Sequence, residues 1–301
     1  MATQQDIKRR ISSVRGTRRI TRALELVAAA RLRRAQDRIE SLRPYASSMR
    51  RLMSQAARQG GNLKGLPLLE ERETLERAAV VVITGDRGLA GAFNANIIRR
   101  SLEVAERLRS EGAGEVVFTA VGKKGAGTLR FRQLPVDRVF QGFSAAPTYA
   151  DAEQVGEHLV ERFVERDLDK VVLVYNAFKS VIEQRVTEEQ LLPVPRDVVE
   201  ESEDGDADDE GPTFTRALAF FEPDASDFLQ KLLPTYIDTT IYRALLESAA
   251  SELGARRTAM RNASDNAAVI IDDLTLAMNR ARQAEITQEI LEVVAGADAL
   301  S

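Results

Sequence analysis

The sequence predicts an α/β protein: a long antiparallel coiled coil of the N- and C-terminal helices plus a Rossmann-like α/β domain between them. Three observations predict it. Residues 3–58 carry helical spacing almost unbroken, with one Gly (Gly16) and one Pro (Pro44). Helical spacing returns at Asp224 and runs to about Ala295, with Pro234 near its start and Gly254 inside it. Between the two, short β-branched runs alternate with helical stretches, the signature of a mainly parallel, covered sheet. The expected boundaries are 1–58, 68–221 and 222–301.

In the first helix Ile7, Ile11 and Val14 fall at spacings of four and three, and Ile20, Leu24, Val27 and Leu32 continue the stripe imperfectly. Such a helix extends about 80 Å at ~1.5 Å per residue, so it needs a partner along its length. Pro44 is placed to kink it. In the last segment Met260, Ala263, Ala267, Ile270, Leu274, Ala277, Ala281 and Ala284 alternate spacings of three and four. That period of 3.5 predicts a left-handed supercoil. Five of these eight residues are Ala, so the predicted coil is thin. The first helix runs toward the middle domain and the last runs away from it, so the two pair antiparallel. The last is longer, and its tip should pass its partner by about 20–25 Å.

The middle begins after the breaker cluster at 59–67. Ala78–Ile83 reads as a buried strand, Thr84–Gly91 as a Gly-rich turn, and Ala92–Arg109 as a helix. Glu115–Val121 is the second strand, followed by a turn and short helix over Gly122–Arg132. Val136–Phe140 is the third strand, Tyr149–Arg166 a helix, and Lys170–Ala177 a fourth strand. Val181–Leu192 and Thr213–Phe221 read as added antiparallel strands, separated by the acidic loop 197–212.

Composition narrows the chemistry. The chain has 301 residues, no Cys, one His and no Trp. Thiol chemistry, disulfides and zinc or iron–sulfur sites are thereby excluded. No apolar run approaches the roughly 18–20 residues of a membrane span, and the basic N-terminus lacks an apolar signal core. The net charge of −4 hides an asymmetry: residues 1–60 hold fifteen Lys/Arg against four Asp/Glu, and 197–212 hold nine Asp/Glu and no base. The basic first helix reads first as a solvated helix face, with a docking surface for an acidic partner as the sharper alternative. It lacks the interleaved aromatics of a nucleic-acid surface, so no nucleic-acid partner is expected.

Two glycine turns follow strands and could cradle phosphate at a helix N-terminus. Gly85-Asp86-Arg87-Gly88-Leu89-Ala90-Gly91 matches neither G-x-G-x-x-G nor the Walker A loop, and Gly122-Lys123-Lys124-Gly125 lacks the Lys-Ser/Thr ending. Both read first as tight turns, with a nucleotide-binding Rossmann-type enzyme as the alternative. His158 stands alone, so no transition-metal site is expected. The acids of 197–212 lack the calcium-loop register. No cofactor and no metal are expected.

The chain ends carry more specific residues. Ile286-Thr287-Gln288-Glu289-Ile290-Leu291-Glu292, followed by Gly296-Ala297, resembles the C-terminal signature of the gamma subunit of F-type ATP synthases. Asn279 to Ala284, Ser264-Asp265-Asn266, the run Ile7 to Ala29, Asp86-Arg87-Gly88-Leu89 and Leu191-Leu192-Pro193 are similar to that family too, in order along the whole chain. The resemblance implies a non-catalytic central stalk that turns inside a ring of alpha and beta subunits. Its foot sits with an epsilon subunit on the membrane c-ring, at the cytoplasmic face of the membrane without inserting into it. By the same resemblance Leu24, Arg256, Gln283, Thr287 and Glu289 contact the beta subunits. The redox dithiol of chloroplast relatives has no counterpart in a chain without Cys.

Overall fold

The structure is a computed structural model and describes residues 3–58, 65–180, 184–196, 198 and 225–298. The chain order is α1 (Gln4–Arg58), a 3-10 turn (Pro67–Leu69), β1 (Arg77–Ile83), α2 (Phe93–Ser110), β2 (Glu115–Val121), α3 (Lys123–Phe131), β3 (Val136–Phe140), α4 (Tyr149–Val164), β4 (Lys170–Phe178), β5 (Gln184–Leu192) and α5 (Ala225–Asp298). These residues divide into two compact units: Met1–Ala30 with Arg256–Ser301, and Arg31–Ala255. The strand expected at Thr213–Phe221 and the acidic stretch 197–212, Val198 apart, lie outside the described residues.

The larger unit is built on a five-stranded sheet in the order β3-β2-β1-β4-β5. The first four strands are parallel, and β5 runs antiparallel to β4. The β-branched runs form its centre because both of their faces are covered. Ala79, Val81 and Ile83 of β1, with Val171, Leu173 and Tyr175 of β4, face one core. That core also holds Ala152, Val155 and Leu159 of α4, Met49, Met53 and Ala56 of α1, and Leu233, Ile237 and Ile241 of α5. Ala78, Val80 and Val82 turn the other way, onto Ile97, Val104 and Leu108 of α2 and Leu129 of α3. This is the two-residue alternation of a strand buried on both sides. A capping box starts α4: the Thr148 hydroxyl accepts from the Asp151 N–H, and Asp151 accepts from the Thr148 N–H.

In the smaller unit, α1 and α5 meet as an antiparallel pair. Ile7, Ile11 and Ile271 form its apolar cluster, with Val14, Leu274, Met278 and Ala281 packed against them. The seam keeps the expected period of 3.5 but not the expected phase. On α5 its inward positions are Met260, Ser264, Ala267, Ile271, Leu274, Met278 and Ala281. Ile270 is 47% exposed while Ile271 is 8% exposed, and Ala277 and Ala284 are exposed. The same correction applies to α1: Ile20 and Val27 face outward, and Thr21, Glu25 and Ala28 are the buried positions. Stripes of 3-4 and 4-3 spacing share one period, and apolar residues at both 270 and 271 leave periodicity unable to choose. The bulky Ile7 and Ile11 settle it by packing against Ile271. The seam is therefore less alanine-rich than its sequence suggests. Beyond it, every α5 residue from Arg282 to Ala295 is exposed.

Candidate functional site

Three places could carry function: the glycine turns at the carboxyl ends of the parallel strands, a polar cluster under α5, and the outward faces of the helix pair. The glycine turns are where an α/β sheet would receive a phosphate. Here the cradle is filled by the chain itself. The Asp86 carboxylate accepts from the backbone N–H of Lys123 (3.0 Å), Gly142 (2.9 Å) and Ser144 (3.3 Å). The Ser144 hydroxyl accepts from the Asp86 N–H at 2.9 Å, and Asn94 Oδ1 accepts from the Gly85 N–H at 2.9 Å. Gly122 is required here: its φ is +96°, and a Cβ would lie 2.1 Å from the Thr84 carbonyl oxygen. Gly125 donates its N–H to the Thr84 hydroxyl at 2.9 Å.

Glu252 of α5 closes the same crevice. Its carboxyl atoms lie 2.8 Å from where a Cβ on Gly85 would stand, and Glu252 is buried. An incoming phosphate would meet two carboxylates and N–H groups already committed. Coulomb repulsion and the loss of those bonds both oppose it. The geometry therefore disfavours the nucleotide-binding alternative.

His158 is a packed side chain. Its Nε2 lies 3.2 Å from Asp137 Oδ2, and its ring meets Phe140 edge-on at 6.0 Å. Burial works against the ionised form of Asp137. Hydrogen bonds from His158, Thr119 and the Arg138 backbone, with the charge of Arg162, outweigh it and hold this carboxyl below its ordinary value. Among the described residues no group of three or more His, Cys, Asp or Glu is arranged to hold a metal ion.

The polar cluster under α5 had no sequence signal. Arg243 Nη2 donates to Glu189 Oε1 at 2.6 Å and Oε2 at 2.7 Å. The Tyr175 hydroxyl donates to Glu189 Oε2 at 3.0 Å. The cluster borders a cleft of about 490 Å³ that Arg50, Tyr236 and Glu247 also line. Burial pushes the Tyr175 hydroxyl far above its ordinary value, and the carboxylates Glu189 and Glu247 add to the shift against the lowering effect of Arg243.

The residues assigned to beta-subunit contact are not gathered into one cluster by this chain alone. Leu24 and Arg256 are half-buried in the smaller unit; Gln283, Thr287 and Glu289 are exposed on the free part of α5. Gln283 and Thr287 share a face at i and i+4, where the Thr287 hydroxyl donates back to the Gln283 carbonyl at 2.9 Å. Glu289 lies two residues on, about 200° around the helix from Thr287. The sequence reading took the tip from Ile290 onward as apolar but missed the outward apolar residues before it. Ile20, Leu26 and Val27 on α1, and Val269, Ile270, Leu276, Ile286, Ile290 and Val293 on α5, are all exposed. Their excess over one seam's needs was the available signal.

The sequence profile of the ATP synthase family matches residues 3–300. The chain is 42% identical over 301 residues to the ATP synthase gamma chain of Rubrobacter xylanophilus, covering all of this chain and 99% of that one. It is 41% identical over 314 residues to the ATP synthase gamma chain of Mycolicibacterium smegmatis, covering all of this chain and 98% of that one. Among solved structures it is similar to a chain of the central stalk and c-ring of Tetrahymena thermophila mitochondrial ATP synthase, at a TM-score of 0.58 and 26% identity over 81% of this chain and 99% of that one. A chain of Euglena gracilis mitochondrial ATP synthase in rotational state 3 shares the fold at a TM-score of 0.65 and 19% identity, over 99% of this chain and 94% of that one.

Proposed function

We propose that this chain, which belongs to the ATP synthase gamma-chain family, is the non-catalytic rotor shaft of a rotary ATP synthase. It couples rotation of the membrane c-ring to ATP synthesis or hydrolysis on the beta subunits. The observation that carries the reading is the pairing of the chain's two ends, Ile7 and Ile11 against Ile271, followed by an α5 tip that is exposed on every side. An exposed tip with Ile286, Ile290 and Val293 on its surface is costly in water and suits a partner sleeve. The occupied phosphate cradle agrees with nucleotide chemistry taking place on other subunits.

The partners are the alpha and beta subunits, an epsilon subunit and the c-ring. Leu24, Arg256, Gln283, Thr287 and Glu289 are the proposed beta contacts; their support is the family signature and the exposure of the last three. The exposed basic residues of α1, including Arg9, Arg10 and Arg33, fit an acidic lever on a partner. No helix of the described residues is long and apolar enough to cross a membrane, and the proposed location is peripheral, at the cytoplasmic face of the cell membrane. The limbs 1–58 and 222–301 serve as shaft and the domain 68–221 as foot.

The test uses the absence of Cys. One Cys introduced on the outward face of the domain takes a bead, and the assembled complex is held by its beta subunits. ATP should turn the bead in one direction. Vigorous hydrolysis with a stationary bead overturns the reading.

A further inference from the structure

We propose that Arg243 is the key that stops α5 from turning in its seat on the sheet, so that torque received by the domain is delivered to the shaft. This rests on the rotor reading above. Within the larger unit most of the seat is apolar: Leu229, Leu233, Ile237, Ile241, Ala244 and Leu245 of α5. Such contacts are non-directional and individually weak, and a helix can rotate among them by small repacking. A charge-assisted hydrogen bond from a guanidinium to a carboxylate has a set distance and direction.

Arg243 supplies such bonds and reaches two strands at once. Its Nη2 bonds both oxygens of Glu189 on β5 at 2.6 and 2.7 Å. Its Nη1 lies 3.3 Å from the Tyr175 hydroxyl on β4 and 3.5 Å from Glu247 Oε1 one turn along α5. Tyr175 closes the triangle by donating to Glu189 at 3.0 Å. Eight residues on, the Ser251 hydroxyl donates to the Asn176 carbonyl of β4 at 3.1 Å. Positions 243, 247 and 251 step by four along α5, so a line of polar contacts follows the β4–β5 side. Burial opposes the Arg243 cation, yet Glu189, Tyr175 and Glu247 together hold it protonated well above its ordinary value. The guanidinium therefore stays charged at every working pH. Arg243 acts as a positioning residue.

The test is made in the whole assembled complex in proteoliposomes, reading protons pumped per ATP hydrolysed. Arg243→Ala should assemble and hydrolyse ATP, with the ratio reduced to about half or less, because truncation removes the charged tie between α5 and β5 and leaves the half-buried Glu189 with Tyr175 alone. Arg243→Ala combined with Glu189→Ala should lower the ratio no further than Arg243→Ala alone, since both remove one contact, and a fully additive fall counts against the proposal. A second variant separates slip from misfolding. Cysteines replacing Arg243 and Glu189 should give a low ratio that a short bismaleimide restores in the same assembled complexes. A wild-type ratio in Arg243→Ala overturns the proposal, and so does a cross-linked pair that stays uncoupled. If the wild-type complex itself turns over without a bead on this chain rotating, the rotor reading has failed instead.

Discussion

Replacing Asp238 with Asn should stabilise the protein at neutral pH and not at pH 4. Asp238 lies on α5 with its Oδ1 pressed toward Gly156 of α4; a Cβ on that glycine would be 2.0 Å away. Burial, and after it the neighbouring Glu153 and Glu157 of α4, push its carboxyl up from 3.8 to about 6. A carboxyl whose folded value is raised costs stability when ionised. The cost is absent below pH 3.8, grows as pH rises toward about 6, and is fully present above that. Two pH units at 1.36 kcal/mol each would give about 3 kcal/mol. Asp238 is only partly buried, so solvent screening reduces this to about 1–2 kcal/mol. Asn copies the shape of the protonated acid and leaves out the charge. Urea unfolding of the purified chain at pH 4, 5, 6 and 7.5 measures the difference between variant and wild type. It should be near zero at pH 4 and reach its full value by pH 7.5. A variant less stable at pH 7.5, or equally favoured at every pH, refutes the reasoning.

Ile271→Ala should lower stability by about 2–3 kcal/mol and Ile270→Ala by under about 1, read as lost amide-exchange protection in α1 and α5 of the smaller unit; equal losses would return the seam to its other phase. Gly122→Ala should cost about 2–4 kcal/mol, since its Cβ meets a backbone oxygen at positive φ, and an unchanged urea midpoint contradicts this. Asp86→Ala should free the N–H groups of Lys123, Gly142 and Ser144. Added phosphate should then raise the melting temperature of the variant and leave wild type unmoved; a wild type that responds equally would show that the cradle was open.

The elements, their order and the family were legible in the residues alone. Strong periodicity placed β2 and β3 at their observed bounds, and β1 and β4 within one residue. It found both terminal helices because residues 3–58 and the stretch after Asp224 contain almost no breaker. The signature from Ile286 to Ala297 carried the function, which no fold-level pattern could have done. Tertiary structure decided which neighbour faces inward. Period alone defines a stripe wide enough to hold both Ile270 and Ile271, and only the partner's bulk selects one. It also decided what fills the glycine turns, since Glu252 reaches Gly85 from the far end of the chain. Arg243 and Glu189 meet for the same reason: each looks like a solvated charge in its own segment, and their bond exists only where α5 crosses the sheet. Local sequence encodes spacing along an element, whereas contacts between distant segments depend on how whole faces settle against each other.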